Sequence, residues 1–348
     1  MKTLIKKNEK FIILNLTDPQ VNTDMWKEQT QESNTFIYTT KELVERVKPD
    51  LITITGDFCL AGQYESYRCF AEFLNSFDIP FTFVWGNHDN QSTDDVIEKQ
   101  ADIFISYKNC LFEKGDKELG SGNYVLAIQD EKTKKIVQGL IFMDTHDREE
   151  YVSESGEMYK DWARLNNKQL KWYKKQVEKL KEQGCTETSL FIHIPIYAYR
   201  QALNENAKKE TIDKIYDWNK TIKYDWWVCN RVNPLYKKGY CNIWNGSSNG
   251  ELNEELGATP QDDGVFKIIK EENSTKNIFV GHDHMNAFTM NYQGVNLHYC
   301  LKTGTGCYFA DTINGGTSIT IDNNGVKEVR REYIEISNKI LKDIYIAK

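Results

Sequence analysis

The chain has 348 residues, 40% of them hydrophobic and 27% charged, with a formal net charge of −7 and a pI near 5.6. That balance is ordinary for a globular protein and excludes a nucleic-acid binder or scaffold working through a basic face. It leaves room for a small anionic substrate, because bound cations would reverse the sign locally.

No apolar run approaches the ~20 residues of a membrane-spanning helix. The opening MKTLIKKNEKFIILNLTDPQ imitates a secretory leader. However, FIILNL is too short for a leader core, has no small-residue cleavage site and runs straight into Asp18. It is read as the first strand of the fold, and the protein as cytoplasmic. The eight cysteines form no CxxC pair, so thiols are expected rather than zinc ligands or a disulfide framework. Cys229/Cys241 and Cys300/Cys307 are the pairs a bridge could join.

Short apolar runs follow one another along the chain, each ending in a polar corner. FIILNL (11–16) ends at Thr17-Asp18, LITITG (51–56) at Asp57 and FTFVWG (81–86) at Asn87-His88. GLIFM (139–143) ends at Asp144, SLFI (189–192) at His193 and NIFVG (277–281) at His282. Such runs read as buried strands. TKELVERV (40–47), YRCFAEFLNSF (67–77) and LKWYKKQVEKLKEQ (170–183) lie between them with apolar residues at helical spacing. Strand-helix alternation predicts an α/β fold with largely parallel central strands. The last third differs: AFTMNYQG, VNLHYCL, TSITID and VRREYIEI alternate and break at turn residues, as antiparallel hairpins do. The sheet system is therefore expected to be mixed. Residues 197–263 are dense in aromatics, among them Tyr197, Tyr199, Trp226 and Trp227, and are expected to form an insertion or lid near the site.

Asp18, Asp57, Asn87, His193, His282 and His284 put oxygen and imidazole donors at the carboxyl ends of predicted strands, where open α/β sheets place their ligand crevice. Each has an ordinary reading alone. An Asp after a strand is usually a turn or cap, and a His after an apolar run is usually a satisfied core residue. Those readings would have to coincide at five strand ends of one chain that has only six histidines. Imidazole and carboxylate donors suit first-row ions such as Mn, Fe, Zn, Co or Ni better than Ca or Mg.

The ordered series TDPQ, GD, GNHD, a lone strand-end His and GHDH resembles the calcineurin-like metallophosphoesterase family. The stretches FIHIPIYAY, DDGVF, IFVGHDHMNAF and LKTGTGCY resemble a branch related to purple-acid-phosphatase-like proteins. The resemblance implies one domain over 1–348, built as a four-layer α/β/β/α sandwich of two mixed sheets flanked by helices. It implies two divalent or trivalent first-row ions at the strand ends. Asp18, Asp57 and His284 would hold the first ion, and Asp57 as bridge, Asn87, His193 and His282 the second. His88 would be the general acid, with Asp89 orienting its imidazole. The family's first motif is usually Asp-x-His, whereas this chain has Gln20, which offers only an amide oxygen. Leu60 stands where the purple enzymes place an iron-binding tyrosine, so a non-purple branch is implied. The implied reaction is hydrolysis of a phosphomonoester, on a small molecule or a phosphoprotein, by a hydroxide held between two ions. A phosphodiester or nucleotide substrate, and a metal-binding scaffold without turnover, are the alternatives.

Overall fold

The computed structural model describes residues 1–60, 64–91, 94–208, 248–310 and 313–336. Most of the aromatic segment lies outside the described residues, Trp226 and Trp227 included, and so do Cys229 and Cys241.

The first half of the chain runs β1 (Lys2–Lys6), β2 (Phe11–Leu16), α1 (Thr23–Glu28), α2 (Gln31–Val47), β3 (Leu51–Thr55), α3 (Tyr64–Asn75), β4 (Phe81–Val84) and α4 (Asp94–Ile105). It continues through β5 (Tyr124–Asp130), β6 (Ile136–Phe142), β7 (Arg148–Val152), β8 (Met158–Trp162), α5 (Asn167–Glu182), β9 (Thr188–Phe191) and α6 (Ala198–Asn206). The described remainder is β10 (Asn249–Glu251), α7 (Val265–Glu272), β11 (Thr275–Val280), β12 (Ala287–Tyr292), β13 (Val295–Tyr299), β14 (Gly315–Asp322) and β15 (Gly325–Tyr333). FIILNL is thus the second strand. KTLIK precedes it and pairs parallel to β5, a partner too distant in sequence to foresee.

Two sheets stack. One has eight strands in the order β1-β5-β6-β9-β11-β13-β12-β10, the other five in the order β15-β14-β2-β3-β4. Both are mixed: β2, β3 and β4 run parallel, as do β6, β9, β11 and β13, while hairpins β12–β13 and β14–β15 are antiparallel. Between the sheets, Tyr124, Phe142, Phe191, Phe279 and His298 stack ring on ring across neighbouring strands of the larger sheet. Tyr124 and the three phenylalanines share one apolar core with Ile13, Ile52 and Phe83 of the smaller sheet. That core continues onto α2, α3 and α4 through Leu43, Phe70 and Phe104. The other face of the larger sheet packs on α5, α6 and α7 through Val177, Ala202 and Ile269. The layers are therefore α/β/β/α. Both sheets are covered on both faces, which is why LITIT and FTFV are buried throughout and show no alternation.

Candidate metal centre

The carboxyl ends of β2, β3 and β4 in one sheet meet those of β9 and β11 in the other. Asp18, Gln20, Asp57, Asn87, His193 and His284 are all buried there, with His282 and His88 partly exposed at the opening. Asp18, Gln20, Asp57 and His282 have φ values of 54°, 47°, 57° and 83°, a left-handed backbone that non-glycine residues adopt at a cost. The strand ends also leave no room for side chains in the adjacent glycines. A Cβ on Gly86 would strike the Asp57 carboxylate, and one on Gly281 would lie 2.6 Å from Asp18 Oδ2.

Main-chain carbonyls aim the two buried imidazoles. His193 Nδ1–H donates to Thr55 O at 2.6 Å, and His284 Nδ1–H to Tyr308 O at 2.7 Å, so in each case Nε2 faces inward. Around His193 Nε2 stand Asn87 Oδ1 at 3.0 Å, His282 Nδ1 at 3.3 Å and Asp57 Oδ1 at 3.4 Å. On the other side, His284 Nε2 lies 3.5 Å from Asp18 Oδ1. Asp57 is divided between the groups: Oδ1 accepts the His88 N–H at 2.9 Å, and Oδ2 accepts from Gln20 Nε2 at 3.1 Å. Asp18 Oδ1 and Gln20 Oε1 are buried without any hydrogen-bond partner.

The electrostatics show the same crowding. Burial opposes ionisation of Asp18, yet the His284 imidazole beside it and the charge of His193 hold the carboxyl at about 2. Asp57 is likewise held far below the carboxylate range, burial being outweighed by His193 and His88. Burial disfavours a charged His193, but Asp57 and Asp18 overcome it and raise the imidazole to about 10. Burial, aided by His193, pushes His282 down to about 3.

His88 sits at the mouth. Its Nδ1 meets Gln91 Oε1 at 2.9 Å, leaving Nε2 open and 3.9 Å from Asp57 Oδ2. Asp89 does not orient His88, contrary to the sequence-based expectation. Its carboxylate accepts the N–H groups of Gly86, Asp57 and Phe58 and the Tyr67 hydroxyl, tying the GNHD turn to the GD turn. The chain enters a 3₁₀ turn at Asp89–Gln91, and residues three apart in such a turn share a face. Gln91 therefore takes the place beside His88. Cys59 packs in the core, and no bridge joins Cys300 to Cys307.

Several residues near the centre carry no signal in their own sequence neighbourhood. Trp162, from the β7–β8 ribbon, sets its ring edge-on to His282 with centroids 4.3 Å apart. Lys302 is fully buried and donates to Asp18 O. Asp147 keeps one carboxylate oxygen buried without a hydrogen-bond partner, and burial raises its carboxyl above the usual range against the opposing charge of Arg148. Asp144, by contrast, is the polar corner read at the end of GLIFM, and it holds the MDTHD corner through the N–H groups of Ser121 and His146.

A family model described as calcineurin-like phosphoesterase matches residues 13–313. The chain belongs to that family. It is 25% identical over 289 residues to "Probable inactive purple acid phosphatase 29" of Arabidopsis thaliana, covering 76% of this chain and 62% of that protein. It is 28% identical over 148 residues to "Probable glycerophosphodiester phosphodiesterase GpdQ" of Arcobacter nitrofigilis, 42% of each chain. The chain thus spans about three-fifths of the plant relative's length. Among solved structures, a dimetal phosphatase from Danio rerio aligns with a TM-score of 0.49 at 10% identity, over 92% of this chain and 98% of its own.

The donor set fits metal ions on its own geometry. Ligand bonds of about 2.1 Å to a first-row ion separate neighbouring donors by roughly 3–3.4 Å. That is the spacing around His193 Nε2, where the facing atoms carry lone pairs. Asp18, Asp57 and His193 bring one ligand atom each within 4.8 Å of one another. Among the described residues, no helix is long and apolar enough to cross a membrane.

Proposed function

We propose that this protein is a metal-dependent phosphoester hydrolase acting on phosphomonoesters, with Asp57 between two first-row ions. Asp18, Gln20 and His284 would hold one ion, and Asn87, His193 and His282 the other. The observation that carries the reading is the pair of buried, unpartnered oxygens, Asp18 Oδ1 and Gln20 Oε1, beside a ring of inward-facing donors. Buried polar atoms are ordinarily satisfied, so two orphans in one site point to a cation.

Bound there, the ions would neutralise charge at phosphorus and supply a nucleophile at neutral pH. The protein's own groups have distinct tasks. Thr55 O and Tyr308 O engage Nδ1 of His193 and His284, so that each ring, when neutral, presents its Nε2 lone pair inward. Asp57 is set by the His88 N–H and the Gln20 amide. His88, fixed at Nδ1 by Gln91, presents Nε2 to the opening and gives a proton to the departing alkoxide. Trp162 stands against His282.

A scaffold that binds metal without turnover is the second reading. It is favoured by Gln20 in place of an imidazole and by relatives whose names call them inactive. Metal-loaded protein assayed with p-nitrophenyl phosphate and bis(p-nitrophenyl) phosphate separates the cases. Faster monoester turnover supports the proposal, faster diester turnover replaces it with a phosphodiesterase, and metal binding without either activity supports the scaffold.

A further inference from the structure

The β7–β8 ribbon leaves the body beside the centre and pairs Arg148 with Trp162, Glu149 with Asp161 and Tyr151 with Tyr159. Alternation puts Glu149, Tyr151 and Asp161 on one face, which packs inward, and Arg148 and Trp162 on the other. Two arginines lie over aromatic rings here, and they differ in one respect. Arg164, 4.9 Å from the Tyr151 centroid, is tied to Glu149 at 2.6 Å and to Gln261 at 3.2 Å. Arg148 lies 4.0 Å from the Trp162 centroid, is exposed, and has no carboxylate within ion-pair distance among the described residues.

Its position is fixed from below. The Trp162 ring that carries the guanidinium rests against His282, so the charge stands one ring away from a proposed metal ligand. Stacking on an indole leaves the planar fork of N–H donors free at its edge.

We propose that Arg148, seated on Trp162, receives a second anionic oxygen group of the substrate, so that the preferred phosphoesters carry a carboxylate or a further phosphate on the organic part. This rests on the phosphoester-hydrolase reading and adds the substrate class to it.

Non-hydrolysable phosphonates test the inference independently of turnover. Calorimetric titration of manganese-loaded protein would compare phenylphosphonate with 3-carboxyphenylphosphonate and benzene-1,3-diphosphonate. The wild type should bind the two ligands with a second anionic group about five- to tenfold more tightly, the range of a charge-assisted contact at a partly exposed site. Arg148→Ala should erase that preference while leaving phenylphosphonate affinity within about twofold, and Arg148→Lys, lacking the fork, should restore it only in part. The carboxyphenylphosphonate and diphosphonate arms show which anion the fork prefers. Arg164→Ala, which breaks the Glu149 pair, should lower thermal stability and keep the preference. Equal affinity for the ligands with one and with two anionic groups, failure to bind the latter, or a preference surviving Arg148→Ala overturns the proposal. Turnover of phenyl phosphate by the same sample reports separately on the hydrolase reading.

Discussion

Replacing Asp89 by Asn separates a carboxylate that ties two turns from one that acts through His88. Oδ2 accepts the N–H groups of Gly86 and Asp57, each at 2.9 Å. Oδ1 accepts the Phe58 N–H at 3.1 Å and the Tyr67 hydroxyl at 2.8 Å. An amide keeps a single oxygen. With Nδ2 toward Tyr67, whose hydroxyl can turn and accept, the Phe58 N–H alone is weakened, keeping only its 3.4 Å contact with the remaining oxygen. The opposite rotamer would strand two N–H groups, so the first prevails. One buried orphan donor costs about 1–3 kcal/mol. A second effect opposes this: burial, with the charge of Asp57, raises Asp89 to about 7. A carboxyl raised in the folded state contributes stability below its unfolded value near 3.8, and loses it as pH climbs through 7. Asn has no such dependence, so its penalty should be at most about 1–3 kcal/mol at pH 5 and smaller at pH 8. Urea unfolding of the metal-free protein at the two pH values measures it. Unchanged midpoints at both, together with lost sensitivity to the leaving group, would refute the reasoning and return Asp89 to His88.

His88→Ala should slow alkyl phosphates by about 10²–10⁴ and nitrophenyl phosphate far less, since nitrophenolate needs no proton; equal losses in kcat/KM would make His88 a positioning group. Gln20→His should tighten metal binding in equilibrium dialysis, because imidazole outranks an amide oxygen for first-row ions. Unchanged or weaker binding would place Gln20 outside the ligand set. In the metal-free protein Asp57 and Asp18 raise His193 to about 10, so its charge supports the fold fully below its unfolded value near 6.5 and ceases to as pH passes 10. Metal must displace that proton, so affinity should rise with pH between about 7 and 10, by up to about tenfold per unit; a flat profile would show that His193 carries no proton there.

The strands that bear the donors were legible because each is a short apolar run broken by a ligand-type residue, and β3, β4, β9 and β11 fall on LITIT, FTFV, TSLF and TKNIFV. That they divide between two sheets was not legible, since strand order is settled by non-local pairing such as β9 between β6 and β11. The β7–β8 ribbon escaped notice because REEYV and MYKDW are rich in charge, and a ribbon with one open face need bury little. Trp162 could not be placed beside His282 without it. The direction of Asp89 was also beyond a linear reading. GNHD sets a carboxylate next to an imidazole in sequence, but the 3₁₀ turn sends the two side chains apart and brings Gln91 around instead. The buried Lys302, in the LKTG corner, has no local signature that separates it from a surface lysine.

The most direct test of the dinuclear account is metal content of Asp57→Asn against the wild type, by inductively coupled plasma mass spectrometry after loading with manganese or zinc and gel filtration. Asp57 divides its oxygens between the His193 side and the Gln20 side, and an Asn there keeps one oxygen and no charge. The account predicts two ions per wild-type chain and at most one per variant, with hydrolysis reduced by roughly three orders of magnitude or more. Two ions and a near-normal rate in the variant would contradict it.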